Sequence, residues 1–371
     1  EFAGAVEAAS STGGQIMPPI MGAAAFLMAD FIGVPYSSIL GRAVLPAILY
    51  FTGIFITVHL EAKRLGLSGI PKEQLPKFGF LVRKIYLLVP LVMLVVWVSG
   101  NYMTMQRAAS FAIVLAIVVS LFDKDNRITP AKFFDALEAG GKSTITVAAA
   151  CGVAGIISGS ITMTGLANEL INGIIAVSNN HLIIALFLTM ICCIVLGMGV
   201  PTTANYCIMA ATCAPILIRM GVPALAAHFF VFYFGIVADI TPPVALAAYA
   251  GSAIAKANPM KTAFNASRLA IAVFIVPYVF CFSPALLMID TNAGEVIRIV
   301  ITSFIGIFGV AAGLEGYLKT KMNVLQRVIF VVSGLMLIFP SWITDIVGIV
   351  LIAGVIVWQY VGAVRSGASA S

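Results

Sequence analysis

The chain has 371 residues, of which 61% are hydrophobic and 10% charged, and its mean hydropathy is +1.08. Soluble domains carry about 25% charged residues, so this is the composition of a membrane protein. It excludes a nucleic-acid-binding module, a disulfide-stapled secreted domain and a soluble enzyme built on one core. The 21 Lys and Arg against 15 Asp and Glu give a formal charge of +6, which in a membrane protein reads as basic inward loops.

The chain opens on Glu1, and Glu1 to Ala8 lack the basic stretch and apolar core of a signal peptide. The sequence is therefore expected to begin inside a longer protein. A bilayer core of about 30 Å takes about 20 helical residues. Apolar segments follow at 16–31, 43–60, 85–99, 108–122, 143–163, 182–196, 204–219, 224–256, 269–289, 298–314, 324–339 and 343–361. Two depart from simple spans. The arms 182–196 and 204–219 are each short and flank Gly197-Met198-Gly199-Val200-Pro201-Thr202-Thr203, which reads as a re-entrant hairpin. The segment 224–256 is too long for one straight span and is interrupted by Asp239-Ile240-Thr241-Pro242-Pro243, which reads as a helix broken at membrane depth. With the hairpin counted as no crossing, the loops 61–84, 123–142, 256–268, 315–327 and the C-terminus fall inside and hold 17 of the 21 basic residues. The loop 123–142, with Phe133, Phe134 and Leu137 at helical spacing, is expected on the membrane surface or bracing its neighbours.

Sliding the chain by 224 positions sets Gln15-Ile16-Met17-Pro18-Pro19-Ile20 on Asp239-Ile240-Thr241-Pro242-Pro243-Val244 and Val34-Pro35 on Asn258-Pro259. There are seven identities between 15–38 and 239–262, three of them prolines. The first copy is expected to run outward and the second inward, as in the inverted repeats of secondary transporters, whose sites lie at discontinuous helices. The alternative is two unrelated proline kinks. The expected organisation is the end of a first transport element at 1–38, scaffold and connecting helices at 39–142, a second transport element at 143–268 and C-terminal membrane helices at 269–371.

Irregular backbone at membrane depth leaves N–H and C=O groups that protein, water or ligand must satisfy. The helix start after Gly197 to Pro201 offers free amides and a positive dipole end to a carboxylate. Thr202, Thr203 and Asn205 add hydroxyl and amide groups. Carbonyls at Gly13-Gly14 or from Ala238 to Thr241 suit a small cation. Asp239 is a carboxylate in mid-segment, which points to function, with capping of the next half-helix as the alternative. It must be neutralised by a proton or a bound cation. The six cysteines and His59, His181 and His228 show no metal-ligand spacing. Gly141-Lys142-Ser143 lacks the first glycine of a P-loop, and Gly155 to Gly159 lacks the spacing of a serine-nucleophile turn.

These motifs, with Ser11-Thr12-Gly13-Gly14-Gln15 and Leu314-Glu315-Gly316-Tyr317, make the chain resemble the large membrane subunit of tripartite ATP-independent periplasmic (TRAP) transporters. The tail and the Ala238 to Pro243 segment resemble its TAXI branch; other branches usually carry an apolar residue where Asp239 stands. The resemblance implies an all-α polytopic elevator-type symporter with inverted repeats, a re-entrant hairpin and broken helices, in a bacterial inner membrane. It implies a small carboxylate substrate, Na+ or H+ as coupling ion with no other cofactor, a periplasmic TAXI-type binding protein and a small membrane subunit, fused or separate. It places substrate at Gly14, Gln15, Gly199, Pro201, Thr202, Thr203 and Asn205. The coupling ion falls at Ser11, Thr12, Gly13, Gly197, Ala238, Asp239 and Thr241. A first hairpin is expected before Glu1. A carboxylate symporter working without a binding protein is the alternative; an intramembrane enzyme or a channel lacks the residues it would need.

Overall fold

A computed structural model describes residues 1–19, 21–67, 69, 71, 75, 78–100, 102–122 and 127–365. Their regular structure is helical. The N-terminal third holds α1 (Phe2–Gly13), α2 (Ala23–Ile32), α3 (Tyr36–Arg64), α4 (Phe78–Arg83), α5 (Val89–Ser99) and α6 (Met105–Ser120). Next come α7 (Pro130–Met163), α8 (Leu166–Ser178), α9 (Leu182–Gly197), α10 (Thr202–Thr212) and α11 (Ala214–Arg219). The last third holds α12 (Ala224–Val237), α13 (Leu246–Ile254), α14 (Pro259–Leu269), α15 (Ile271–Phe282), α16 (Ala293–Glu315), α17 (Val324–Met336) and α18 (Trp342–Arg365). By length and composition, Tyr36–Arg64, Pro259–Phe282, Ala293–Glu315 and Trp342–Val361 can cross a membrane.

The expected break in 224–256 lies between α12 and α13, and the 16–31 segment likewise holds a break followed by α2. The arm 204–219 bends at Cys213, because Pro215 in the first turn of α11 supplies no N–H to continue the ladder. The segment 123–142, expected as an inward loop with apolar residues at helical spacing, is helical from Pro130. From Pro130 it is the start of the 34-residue α7, a rod of about 50 Å. Proline starts a helix well, and Gly140-Gly141 weaken one without stopping it. Phe134 and Leu137 stay exposed rather than bracing a neighbour. Gly141-Lys142-Ser143 and Gly155 to Gly159 both lie inside α7, so neither forms a phosphate loop or a nucleophile turn. Lys72, Lys77 and Lys124 of the inward loops, and Ile20 of the repeat, lie outside the described residues.

The repeat extends from sequence into backbone geometry. At the spacing of 224, α1 and α12 end on equivalent residues, Gly13 and Val237, and each break is followed by a short helix. Gln15 N–H donates to the Thr12 carbonyl as Asp239 does to Ile236. Ile16 N–H donates to Gly13 as Ile240 does to Val237, and Met21 to Met17 as Ala245 does to Thr241. Pro18-Pro19 and Pro242-Pro243 are both cis. Unrelated kinks would not reproduce three backbone hydrogen bonds in register.

The core is organised around α12, in which every residue from Leu225 to Val237 is buried. A helix apolar on all sides belongs inside a structure, and α2, α9, α10, α11 and α15 surround this one. The copies pack reciprocally, α1 against α13 and α12 against α2. At the first seam a Cβ on Gly251 would stand 2.6 Å from the Gly4 carbonyl oxygen, and one on Gly4 2.9 Å from that of Gly251. Small residues thus let the two backbones touch, which is how helices associate where water supplies no hydrophobic drive. Helix α16 packs on α3 and α15 and carries α17 and α18. Its last residue, buried Glu315, lies 3.4 Å from Arg64 and 3.5 Å from Arg268, while Arg64 also holds Glu61 at 2.6 Å. Charges shielded from water persist when paired.

The Gly4–Gly251 crossing predicts that Gly251→Ala lowers stability by about 1–3 kcal/mol through overpacking, read as a lower midpoint of thermal unfolding in detergent. An unchanged midpoint would show that the helices do not approach this closely.

Candidate functional site

Helices α9 and α10 form the expected hairpin, turning through Met198 to Pro201. Gly199 takes φ +74°, a conformation glycine adopts freely, and Val200 N–H closes the turn on the Gly197 carbonyl. The arms meet where Cys213 and Cys192 Sγ stand 3.7 Å apart. Farther out, Arg219 donates to Asn168 Oδ1 at 3.3 Å, tying α11 to α8.

The tip lies on the break after α12. A Cβ on Gly197 would come within 2.6 Å of Asn205 Nδ2 and 2.8 Å of Ala238 Cβ, so only glycine lets the first arm reach the break. Across the turn, the Cβ position of Gly199 is 3.7 Å from Val244. Asn205, 1% exposed, donates Nδ2 to the Gly235 carbonyl at 3.0 Å. Its Oδ1 is buried without a hydrogen-bond partner. Helix α10 has no side-chain cap, and among the described residues the N–H groups of Thr202, Thr203 and Ala204 make no hydrogen bond. These are the first amides of a helix, which no residue of that helix can satisfy.

The break itself is largely satisfied by the chain. Thr241 Oγ1 donates to Val237 at 2.8 Å, Ser267 Oγ to Ile240 at 2.9 Å and Tyr249 to the Pro243 carbonyl. The Asp239 carbonyl accepts from Ala247 N–H at 2.9 Å. Among the described residues the Ala238 carbonyl accepts no bond, and the half-buried Asp239 carboxylate has no hydrogen bond or ion pair. Helix α13 has Ala245 at its N-cap and no side-chain cap, so Asp239 does not cap it here.

The structure thus joins Gly197, Gly199, Asn205 and Ala238, with Pro201, Thr202, Thr203, Asp239 and Thr241 alongside in the same two segments. The first break is built alike but placed elsewhere. Gly13 lies under α3, where a Cβ would stand 2.2 Å from the ring of Tyr50, and Tyr50 donates to the Ala9 carbonyl at 2.6 Å. Thr12 is buried, Gln15 half-buried, and Ser11 and Gly14 are exposed. Among the described residues no hydrogen bond joins Ser11, Thr12, Gly13, Gly14 or Gln15 to the tip. Sequence reasoning missed Gly235, Ser267, Tyr249 and Tyr36, which supports Pro19 as Tyr249 supports Pro243. The two tyrosines share no sequence register; a hydroxyl within reach of each second proline was the available signal. The described residues hold no cluster of three metal-ligating side chains.

The arm geometry predicts that mild two-electron oxidation links Cys192 to Cys213, detected as a joined pair of fragments by mass spectrometry without reductant. Failure of these thiols to couple, with other pairs coupling instead, would contradict the arm packing.

Residues 1–294 match the family described as "Tripartite ATP-independent periplasmic transporter, DctM component". No curated protein matches the chain.

Proposed function

The chain belongs to the tripartite ATP-independent periplasmic transporter DctM family, the large permease component of these secondary transporters, and on that premise we propose that it carries a small organic acid inward with a coupling cation. It is a transporter component, not an enzyme, and a membrane protein. TRAP permeases of this family work in general with a periplasmic binding protein and a small membrane subunit. For this chain the binding protein is proposed to be of the TAXI type, on the strength of Ala238 to Pro243 and the Leu314 to Tyr317 segment.

The observation that carries the proposal is the meeting of the hairpin tip with the second break. The unbonded amides of Thr202, Thr203 and Ala204 supply donors and a positive helix end for a carboxylate, while the threonine hydroxyls orient it. Asp239, the Ala238 carbonyl and Asn205 Oδ1 supply oxygens for the coupling ion on the other side of the contact. The Asp239 charge needs a neutralising partner at membrane depth. None of the described Lys or Arg residues pairs with it, so a proton is the preferred coupling ion and Na+ the alternative. Gly14, Gln15, Ser11, Thr12 and Gly13 are proposed to contribute through the equivalent first break, which runs in the opposite sense. The transport unit is proposed to move as an elevator.

Two outcomes test this with the full-length protein and its binding protein in proteoliposomes. Thr202→Leu or Thr203→Leu abolishes uptake while expression and folding stay near normal; native uptake by the variant carrying both would remove the tip as the site. Asp239→Asn mimics the protonated carboxyl, so it loses uptake driven by a pH gradient and keeps substrate exchange. Sodium-driven, pH-independent uptake by the native protein would refute the proton, and full gradient-driven uptake by Asp239→Asn would leave that side chain no coupling role.

A further inference from the structure

His228 is an ionisable side chain in the buried α12, 8% exposed and ten residues before Ala238 at the second break. Such a residue inside an apolar interior is costly and survives when paired. Its partner is Tyr206, 1% exposed, whose hydroxyl shares a 2.7 Å hydrogen bond with His228 Nδ1. The Tyr206 ring also meets Phe232 of α12 edge-on at 6.0 Å and Phe31 of α2 at 6.0 Å. It therefore sits where the hairpin, α12 and the first-repeat half-helix converge. Asn205, its neighbour on α10, bonds to Gly235. Gly235 lies seven residues beyond His228, about 10 Å along the helix.

One attachment between two helices fixes a distance; two attachments about 10 Å apart also fix rotation. We infer that His228 is a positioning residue for the hairpin tip: through Tyr206 it holds α10 at one rotation on α12, so that the Thr202, Thr203 and Ala204 amides face the break at Ala238 and Asp239. The consequence for substrate rests on the reading of the tip as the binding site. The consequence for the tip itself does not.

The test measures amide hydrogen exchange of the full-length protein in nanodiscs, without substrate, for His228→Leu, Tyr206→Phe and His228→Asn. The asparagine amide stands where Nδ1 stood. Exchange at the hydrogen-bonded amides of the tip, Met198, Val200 and Asn205, is expected to rise about tenfold or more in the first two variants, with α3 unchanged, and to stay native in His228→Asn. Tyr206→Phe keeps the ring and removes only the bond, so it decides the matter if His228→Leu folds poorly. Unchanged tip exchange in both variants overturns the inference. So does equal acceleration in α3, since the bond would then hold the fold and not the tip. Uptake is assayed with whichever of radiolabelled pyruvate, succinate, glutamate or 2-oxoglutarate the native protein carries. KM is expected to rise several-fold in Tyr206→Phe with a smaller change in maximal rate, and His228→Asn restores it. A loosened tip with unchanged KM supports the positioning role and refutes substrate binding at the tip.

Discussion

A peptide group without a hydrogen-bond partner in an apolar interior costs several kcal/mol, and this chain interrupts two helices there. Much of the fold serves those interruptions. At the second break Thr241, Ser267 and Tyr249 donate to the Val237, Ile240 and Pro243 carbonyls. At the first, Tyr50 donates to Ala9 and Tyr36 to Pro19. The side chains come from α3, α13 and α14 and from the breaks themselves, so the helices around each break are tied to it by hydrogen bonds as well as by packing. In the two segments that meet at the tip, and among the described residues, the first amides of α10, the Asn205 Oδ1, the Ala238 carbonyl and the Asp239 carboxylate are left without hydrogen-bond partners. These are the groups to which the proposed carboxylate and coupling cation are assigned.

The contact depends on close approach. Gly197 reaches Ala238 because it lacks a Cβ, and Gly4 and Gly251 pass at backbone distance for the same reason. Around these points the side chains are large and apolar. The tilted and edge-to-face rings of Phe230, Phe234 and Tyr278, with centroids 4.7–6.1 Å apart, pack between α12 and α15. Aromatic pairs of this kind add about 0.5–1.5 kcal/mol each beyond area burial. A rigid α12 gives the hairpin a fixed surface to rest on. Residues 295–371 lie beyond the family match, yet α16 docks on α3 and α15, the flanks of the two repeats, and ends in the Glu315 charge cluster.

The breaks, the hairpin and the repeat were legible because prolines and glycines act locally. Pro18-Pro19 and Pro242-Pro243 remove donors, Gly197 and Gly199 permit a turn, and no distant contact is needed to read either. The bend at Cys213 follows from Pro215 by the same logic and was overlooked inside an apolar run. The continuity of α7 was harder to read, since Gly140-Gly141 resemble a loop and only the absence of a stop signal argues otherwise. Pairings between distant residues were not legible. Asn205 with Gly235 and Tyr206 with His228 depend on the rotation of α10 on α12, which a search for metal spacing among three histidines could not find. The first break posed a further problem: it matches the second in sequence and backbone, yet Gly13 lies under α3 and, among the described residues, Ser11 to Gln15 make no hydrogen bond to the tip.

The central claim is that the hairpin enters and leaves on one side, so that its tip meets a helix break at membrane depth and the two repeats run in opposite senses. Single cysteines at His181 and Ala224, exposed positions just outside the two arms, test it most directly with a membrane-impermeant thiol reagent, in a background where the native cysteines are replaced. Both are predicted to react from the periplasmic face and neither from the cytoplasmic face. Reaction of the two from opposite faces would contradict the account, because the arms would then be one crossing and the tip could not meet the break in mid-membrane.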